Sequence, residues 1–225
     1  MKKMIAIIFV LLILFISMAL YKYVILANNQ VTVEDVTKIE QYISKIYCWK
    51  EVTNEALPKF ENINNADEKW TLEVIKKNLD EYEVTLEDIQ NKGKEIFGDN
   101  FSKEFKNINS SFEYNQEKNL YIAKEITTDK EEDLFFIDKI NKTISGYEVE
   151  IIEYTEDYSE FENNKVLIKS INNETIETLV VNDKNTEDIE TQTIETIKNK
   201  KEKFTHKKFI LKNYNDKIYL QKVEG

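Results

Sequence analysis

The 225-residue chain contains no arginine, one proline, one cysteine, one histidine and four glycines. Each scarcity excludes something. Without arginine there is no planar fork for bidentate grips on phosphate or carboxylate, because lysine offers only a compact point charge. One cysteine rules out a disulfide-stapled scaffold, and one cysteine with one histidine cannot supply a Cys/His zinc site within one chain. Four glycines leave no phosphate-cradling loop, and no serine sits in a Gly-x-Ser-x-Gly elbow. No metal site and no cofactor are expected.

What is present is a foldable composition: 41% hydrophobic, 12% aromatic and 32% charged residues, with a net charge of −11. The wealth of Lys, Asn, Ile and Glu fits AT-rich codon usage better than selection for a ligand. Setting aside Lys2, Lys3 and Lys22 leaves 28 lysines against 42 acids, a body at −14 that repels nucleic acid and anionic lipid. No nucleic-acid partner is expected. The densest basic run, Lys198 to Lys203 followed by Lys207 and Lys208, reads as a solvated face before it reads as an anion patch.

The N-terminus carries the clearest signal. Met1-Lys2-Lys3 precedes an unbroken apolar run from Met4 to Ile16, continued through Met18-Ala19-Leu20 and Val24 to Ala27, with Tyr21-Lys22-Tyr23 as an interfacial belt. Residues 1–27 are expected to be a cytoplasmic tip and a transmembrane signal anchor. The body then lies outside the membrane, the membrane being the first partner and an envelope protein a second. Ser17-Met18-Ala19 also satisfies the small-x-small rule, so cleavage after Ala19 would give a secreted protein. Lipidation is excluded, since Cys48 lies far beyond the apolar run.

After a connector at 28–32, residues 33–225 are expected to form a single exported α+β domain, helical over 33–108 and mainly strands over 112–224. Val36, Ile39, Ile43 and Ile46 share a helical face, with Tyr42 and Trp49 extending it. Pro58 bends the chain. A second helix is expected from Asp67 to Tyr82, burying Trp70, Val74, Ile75 and Leu79. Thr85-Leu86-Glu87-Asp88 reads as a capping box opening a third helix that stops at Gly98. A short fourth helix is expected from Ser102 to Ile108, burying Phe101 and Phe105.

The period then becomes two. Hairpins are expected across Asn115–Asn119, Ser145-Gly146, Asn172–Glu174 and Tyr214–Asp216, with Tyr147, Val149 and Ile151 alternating inward. Asn182 to Gln192 reads as a polar loop, and Thr193 to Phe204 as a helix or the start of a strand.

The anchor, Asp67 to Phe105 with Trp70, Phe97-Gly98 and Phe105, and the strands Gly146 to Tyr158 and Phe209 to Val223 together resemble the signal-anchored extracytoplasmic proteins of low-GC Gram-positive bacteria. Many of these are NTF2-like or cystatin-like. The resemblance implies helices packed on a curved antiparallel sheet, and such folds host enzymes, binders and scaffolds alike.

Three functions follow as expectations. The first is a membrane-anchored, non-catalytic binding or scaffold protein of the cell envelope, with no catalytic residue assigned. The second is an exported small-ligand-binding domain with an aromatic-lined pocket, for which Tyr147, Tyr154, Tyr158 and Phe161 are the candidate lining, core packing being their commoner role. The third is a hydrolase, using Cys48 with His206 or a carboxylate pair, though 42 acids make some pair inevitable. Asp129–Asp133 and Glu153–Asp157 are the nearest approach to calcium ligands and lack the EF-hand order. Asn-x-Ser/Thr triplets at Asn100, Asn109, Asn141 and Asn173 are what chance provides in so Asn-rich a chain.

Overall fold

The computed structural model describes residues 30–48, 50–53, 55–124, 131–181 and 186–225. The expected anchor at 1–27 and the expected inward Trp49 lie outside them. Among the described residues no helix is long and apolar enough to cross a membrane.

Helix α1, Val33–Ile46, opens on a capping box: the Thr32 hydroxyl accepts from the Asp35 amide, and the Asp35 carboxylate accepts from the Thr32 amide. Ile39, Ile43 and Ile46 are buried as their spacing requires, whereas Val36 stays at the surface. Helix α2, Glu68–Lys77, is capped by Asp67 and buries Trp70, Val74 and Ile75. It ends five residues earlier than the apolar spacing suggests. Asn78 stops it by donating its side-chain amide to the carbonyls of Val74 and Lys45, at 2.8 and 2.9 Å, and Leu79 packs from beyond the helix. Helix α3, Leu86–Phe97, has the expected Thr85/Asp88 box and ends at Gly98.

The expected helix over Ser102–Ile108 does not form; only a 3₁₀ turn at Ile108–Ser110 follows. Tertiary partners take the groups a helix would use. The Ser102 amide donates to Asn64 Oδ1, the Lys103 carbonyl accepts from Gln90, and Lys103 Nζ donates to the Ala66 carbonyl. The aromatic burial holds without the helix, with Phe101 fully buried and Phe105 packed against the core.

Strands β1 (Glu83–Val84), β2 (Phe112–Asn115) and β3 (Leu120–Ala123) form a small antiparallel sheet in the order β1-β3-β2. The main sheet has six antiparallel strands built around β5 (Gly146–Asp157). One edge of β5 pairs along its length with β4 (Glu131–Lys142). The other edge pairs first with β8 (Thr205–Tyr214) over Gly146–Glu153, then with β6 (Lys165–Ser170) over Tyr154–Asp157. Strand β7 (Thr175–Val180) flanks β6, and β9 (Lys217–Glu224) flanks β8.

Side chains alternate along β5, so its two faces feed two cores. Tyr147, Val149 and Ile151 pack under α1–α3, while Ile152 joins Val166, Ile168 and Leu179 under helix α4, Thr186–Asn199. That helix corrects the loop expected over Asn182–Gln192: from Thr186 onward the chain is helical. Its inward turn alternates Ile189, Thr193, Thr196 and Ile197, and the two threonines hide the apolar period. The result is an α+β fold of helices packed with antiparallel sheets.

Candidate functional site

Cys48 and His206 belong to opposite faces of the main sheet. His206 pairs with Ile152 on β5 and shares a hydrogen bond between its Nε2 and the Lys201 carbonyl at 2.9 Å. Cys48 sits in the helical core, 6% exposed, and burial pushes its thiol up to about 12. Nearby Lys77 lowers it only in part. A thiol so protonated is not a nucleophile at neutral pH, and the histidine is not beside it.

The four aromatics expected to line one concavity are divided in the same way. Tyr147 lies under α1 with its hydroxyl donating to Asp35, whereas Tyr154, Tyr158 and Phe161 flank the α4 core. They line no common pocket.

The hairpin register does bring the two acidic clusters together, opposing Glu131 to Asp157, Glu132 to Glu156 and Asp133 to Thr155. The described carboxylates there already have partners. Asp133 accepts from Thr155 and from the Lys50 amide, Glu156 from Tyr158, and Asp157 pairs with Lys169 at 2.5 Å. Burial alone would raise Asp157, but Lys169 and Ser159 hold it below the usual carboxylate range. Among the described residues no three His, Cys, Asp or Glu side chains are placed to hold a metal ion.

Most of the lysine run is likewise engaged, Lys203 being exposed. Lys200 pairs with Glu177, Lys201 with Asp138, and Lys208 with Glu148, while Lys198 lies over the Phe136 ring. Lys207 is buried and donates to the Leu57 carbonyl. It forms no anion patch.

One set of uncommitted polar groups lines a concavity along β9. Two open hollows of about 460 and 520 Å³ share Tyr219 as a lining residue. Gly98 positions that ring: at φ +96 it caps α3, and a Cβ there would come within 3.3 Å of the Tyr219 ring. The larger hollow runs to the C-terminal end of α3 and the turn after β8, between Tyr42, Ile96 and Asp216. Burial holds the Tyr42 hydroxyl well above the ordinary tyrosine range. It donates to the Ile96 carbonyl and accepts from the Leu220 amide, at 3.1 and 2.7 Å.

The smaller hollow has a wall of amides. Asn62 Oδ1 accepts from the Asn64 amide, Asn64 Nδ2 donates to the Asn100 carbonyl, and Asn64 Oδ1 accepts from Ser102, each within 3.1 Å. By contrast, the side chains of Asp99, Asn100 and Gln221, and the hydroxyls of Tyr214 and Tyr219, have no hydrogen-bond partner among the described residues. Glu61 on the rim is taken by Lys222 at 2.7 Å. Such a groove is open to solvent, with Asn62 and Asn64 fixed in its wall and Asp99, Asn100, Tyr214 and Gln221 exposed.

Sequence reasoning missed these residues. The turn at Tyr214–Asp216 and the helix stop at Gly98 were both legible, but no spacing announces that they meet. Compared with family models, curated proteins and solved structures, the chain matches none.

Proposed function

We propose that this chain is a tethered, non-catalytic binding or scaffold domain of the cell envelope, held to the membrane by residues 1–27, with the β9 groove as its contact surface. The observation that carries the reading is where free polar chemistry lies. Among the described residues, every buried charged side chain is engaged within the chain: Glu73 with Lys76, Glu153 with Lys207, Glu156 with Tyr158, and Asp157 with Lys169. Two unengaged amides, a carboxylate and two tyrosine hydroxyls share one concave hollow at Tyr219. An open groove with a fixed wall and unengaged polar side chains is suited to recognising a ligand without transforming it. The apolar run before Asn28 supports the tether, and Lys2 and Lys3 ahead of it support its outward orientation.

The test is photocross-linking of the full chain in its native membrane, with the probe at Tyr214 or, as a control, at exposed Glu174 in the β6–β7 turn. Adducts to another envelope component from Tyr214 and none from Glu174 are expected. Equal labelling from both positions, or none from either, would overturn the assignment.

A further inference from the structure

Resting on that reading, we infer that the β9 groove takes a neutral, hydroxyl-rich ligand, a segment of glycan laid across Tyr219 with Tyr214 as its aromatic platform.

Charge weighs against the first alternative. An anionic ligand needs cations without counter-charges, and the smaller hollow sets Lys212 against Asp99, with Glu61 paired to Lys222. In the larger hollow Lys38 and Lys92 are paired with Glu34 and with Asp80 and Glu95, and the two lysines left, Lys45 and Lys217, share the rim with Asp216. The body at −14 opposes an anion further. Polarity excludes the second. An apolar ligand would strip water from Asn100, Gln221 and Asp99 without replacing their hydrogen bonds.

A sugar satisfies both constraints. Each hydroxyl donates and accepts, and so does each side-chain amide, so Asn100 and Gln221 can pair with adjacent hydroxyls whichever way these turn. The aliphatic face of a sugar ring needs a flat apolar partner, and Tyr214 is 58% exposed on the hairpin tip with its hydroxyl unengaged. Asn64, fixed by three hydrogen bonds, and Gly98, packed against Tyr219, hold the wall in place before the ligand arrives, which lowers the ordering entropy of binding. Both hollows are open and lie on either side of Tyr219, which lines each, so the site suits a chain of sugars laid across that ring along β9 rather than one enclosed ring.

The experiment titrates full-length protein, in a detergent without a sugar headgroup, with N-acetylchitotetraose and with maltotetraose. Oligogalacturonate serves as the anionic comparison, and calorimetry and saturation-transfer NMR are the readouts. At least one neutral tetrasaccharide is expected to bind with Kd of about 10 μM to 1 mM. Tyr214→Ala and Gln221→Ala should each weaken it about tenfold with unchanged melting temperature, and Glu174→Ala should leave it intact. Binding of neither neutral tetrasaccharide, binding indifferent to both groove substitutions, or preference for oligogalacturonate would overturn the inference. A chain that cross-links through Tyr214 but binds neither tetrasaccharide keeps the binding-domain reading and loses the glycan. A chain that cleaves the tetrasaccharide keeps the glycan and loses the non-catalytic reading.

Discussion

Lys207 and Glu153 show how much one buried pair governs at the residue scale. Glu153 is 1% exposed, lies 3.6 Å from Lys207, and leaves its Oε1 without a hydrogen-bond partner. Burial raises its pKa, and Lys207 offsets that in part. A carboxyl raised above its unfolded value stabilises the fold fully below that unfolded value, and the contribution is lost as pH rises through the folded one. Lys207→Met removes the cation while Glu153 stays buried. A loss of about 3 kcal/mol at pH 7 is expected, shrinking as the pH is lowered toward 5. Urea denaturation at the two pH values checks this, and a cost independent of pH would locate it in packing instead. Cys48 gives a second residue-scale test. With its thiol at about 12 and nearly no exposure, it should ignore Ellman's reagent at pH 8 until guanidinium unfolds the chain. Rapid labelling of the folded protein would contradict that environment.

At the scale of elements, the two capping boxes look alike in sequence and do different work. Thr85 and Asp88 satisfy only the first turn of α3. Thr85→Ala should therefore cost about 1 kcal/mol, the usual worth of an N-cap. Asp35 caps α1, and also accepts from the Tyr147 hydroxyl and pairs with Lys142 at 3.1 Å, so it fastens the helix to the β4–β5 hairpin. Burial would raise Asp35, but Tyr147, Thr32 and Lys142 hold it well below the carboxylate range. Its contribution is present above its unfolded value and is lost as pH falls through the folded one. Asp35→Asn should accordingly cost more than Thr85→Ala at pH 7, with the gap closing in strong acid; thermal melts across pH measure it, and equal losses would deny the hairpin contact. The sheet edges are managed locally too. Phe60 bridges Val223, Tyr42 takes the Leu220 amide on β9, and β4 carries an irregularity between Ile137 and Lys139.

For the molecule as a whole, β5 is the shared member. Its odd residues belong to the core with Trp70 and its even residues to the core with α4, and β6 and β8 follow one another along the same edge. Neither core keeps a complete sheet if β5 leaves. Unfolding is therefore expected as one transition, with Trp70 fluorescence and amide exchange in β6–β7 reporting the same midpoint. Separate midpoints would mean that the α4 side opens independently.

The amino-acid sequence determined whatever depends on neighbours along the chain. Thr85 and Asp88 mark a helix start, Gly98 its stop, and the Ile39–Ile43–Ile46 spacing its buried face, because a helix brings i, i+3 and i+4 together by its own geometry. Turns were legible for the same reason. Asn215 and Asp216 both adopt positive φ between β8 and β9, and a Cβ at Gly146 would lie 1.9 Å from the Leu211 carbonyl oxygen. Only the tertiary structure decided what depends on meetings between distant segments. Side chains from Asn64 and Gln90 drew Ser102 and Lys103 out of the helix their pattern suggested, and burial of Ile189 in the core it shares with β5, β6 and β7 made a helix of the mostly polar residues 186–192. Cys48 and His206 were placed on opposite faces, because β8 turns successive side chains to opposite sides and it is Lys207 that points to the helices. The groove is of this second kind. Asn62, Asn100 and Gln221 are ordinary polar residues until a helix end and a hairpin close around Tyr219, and no periodicity along a chain encodes that contact.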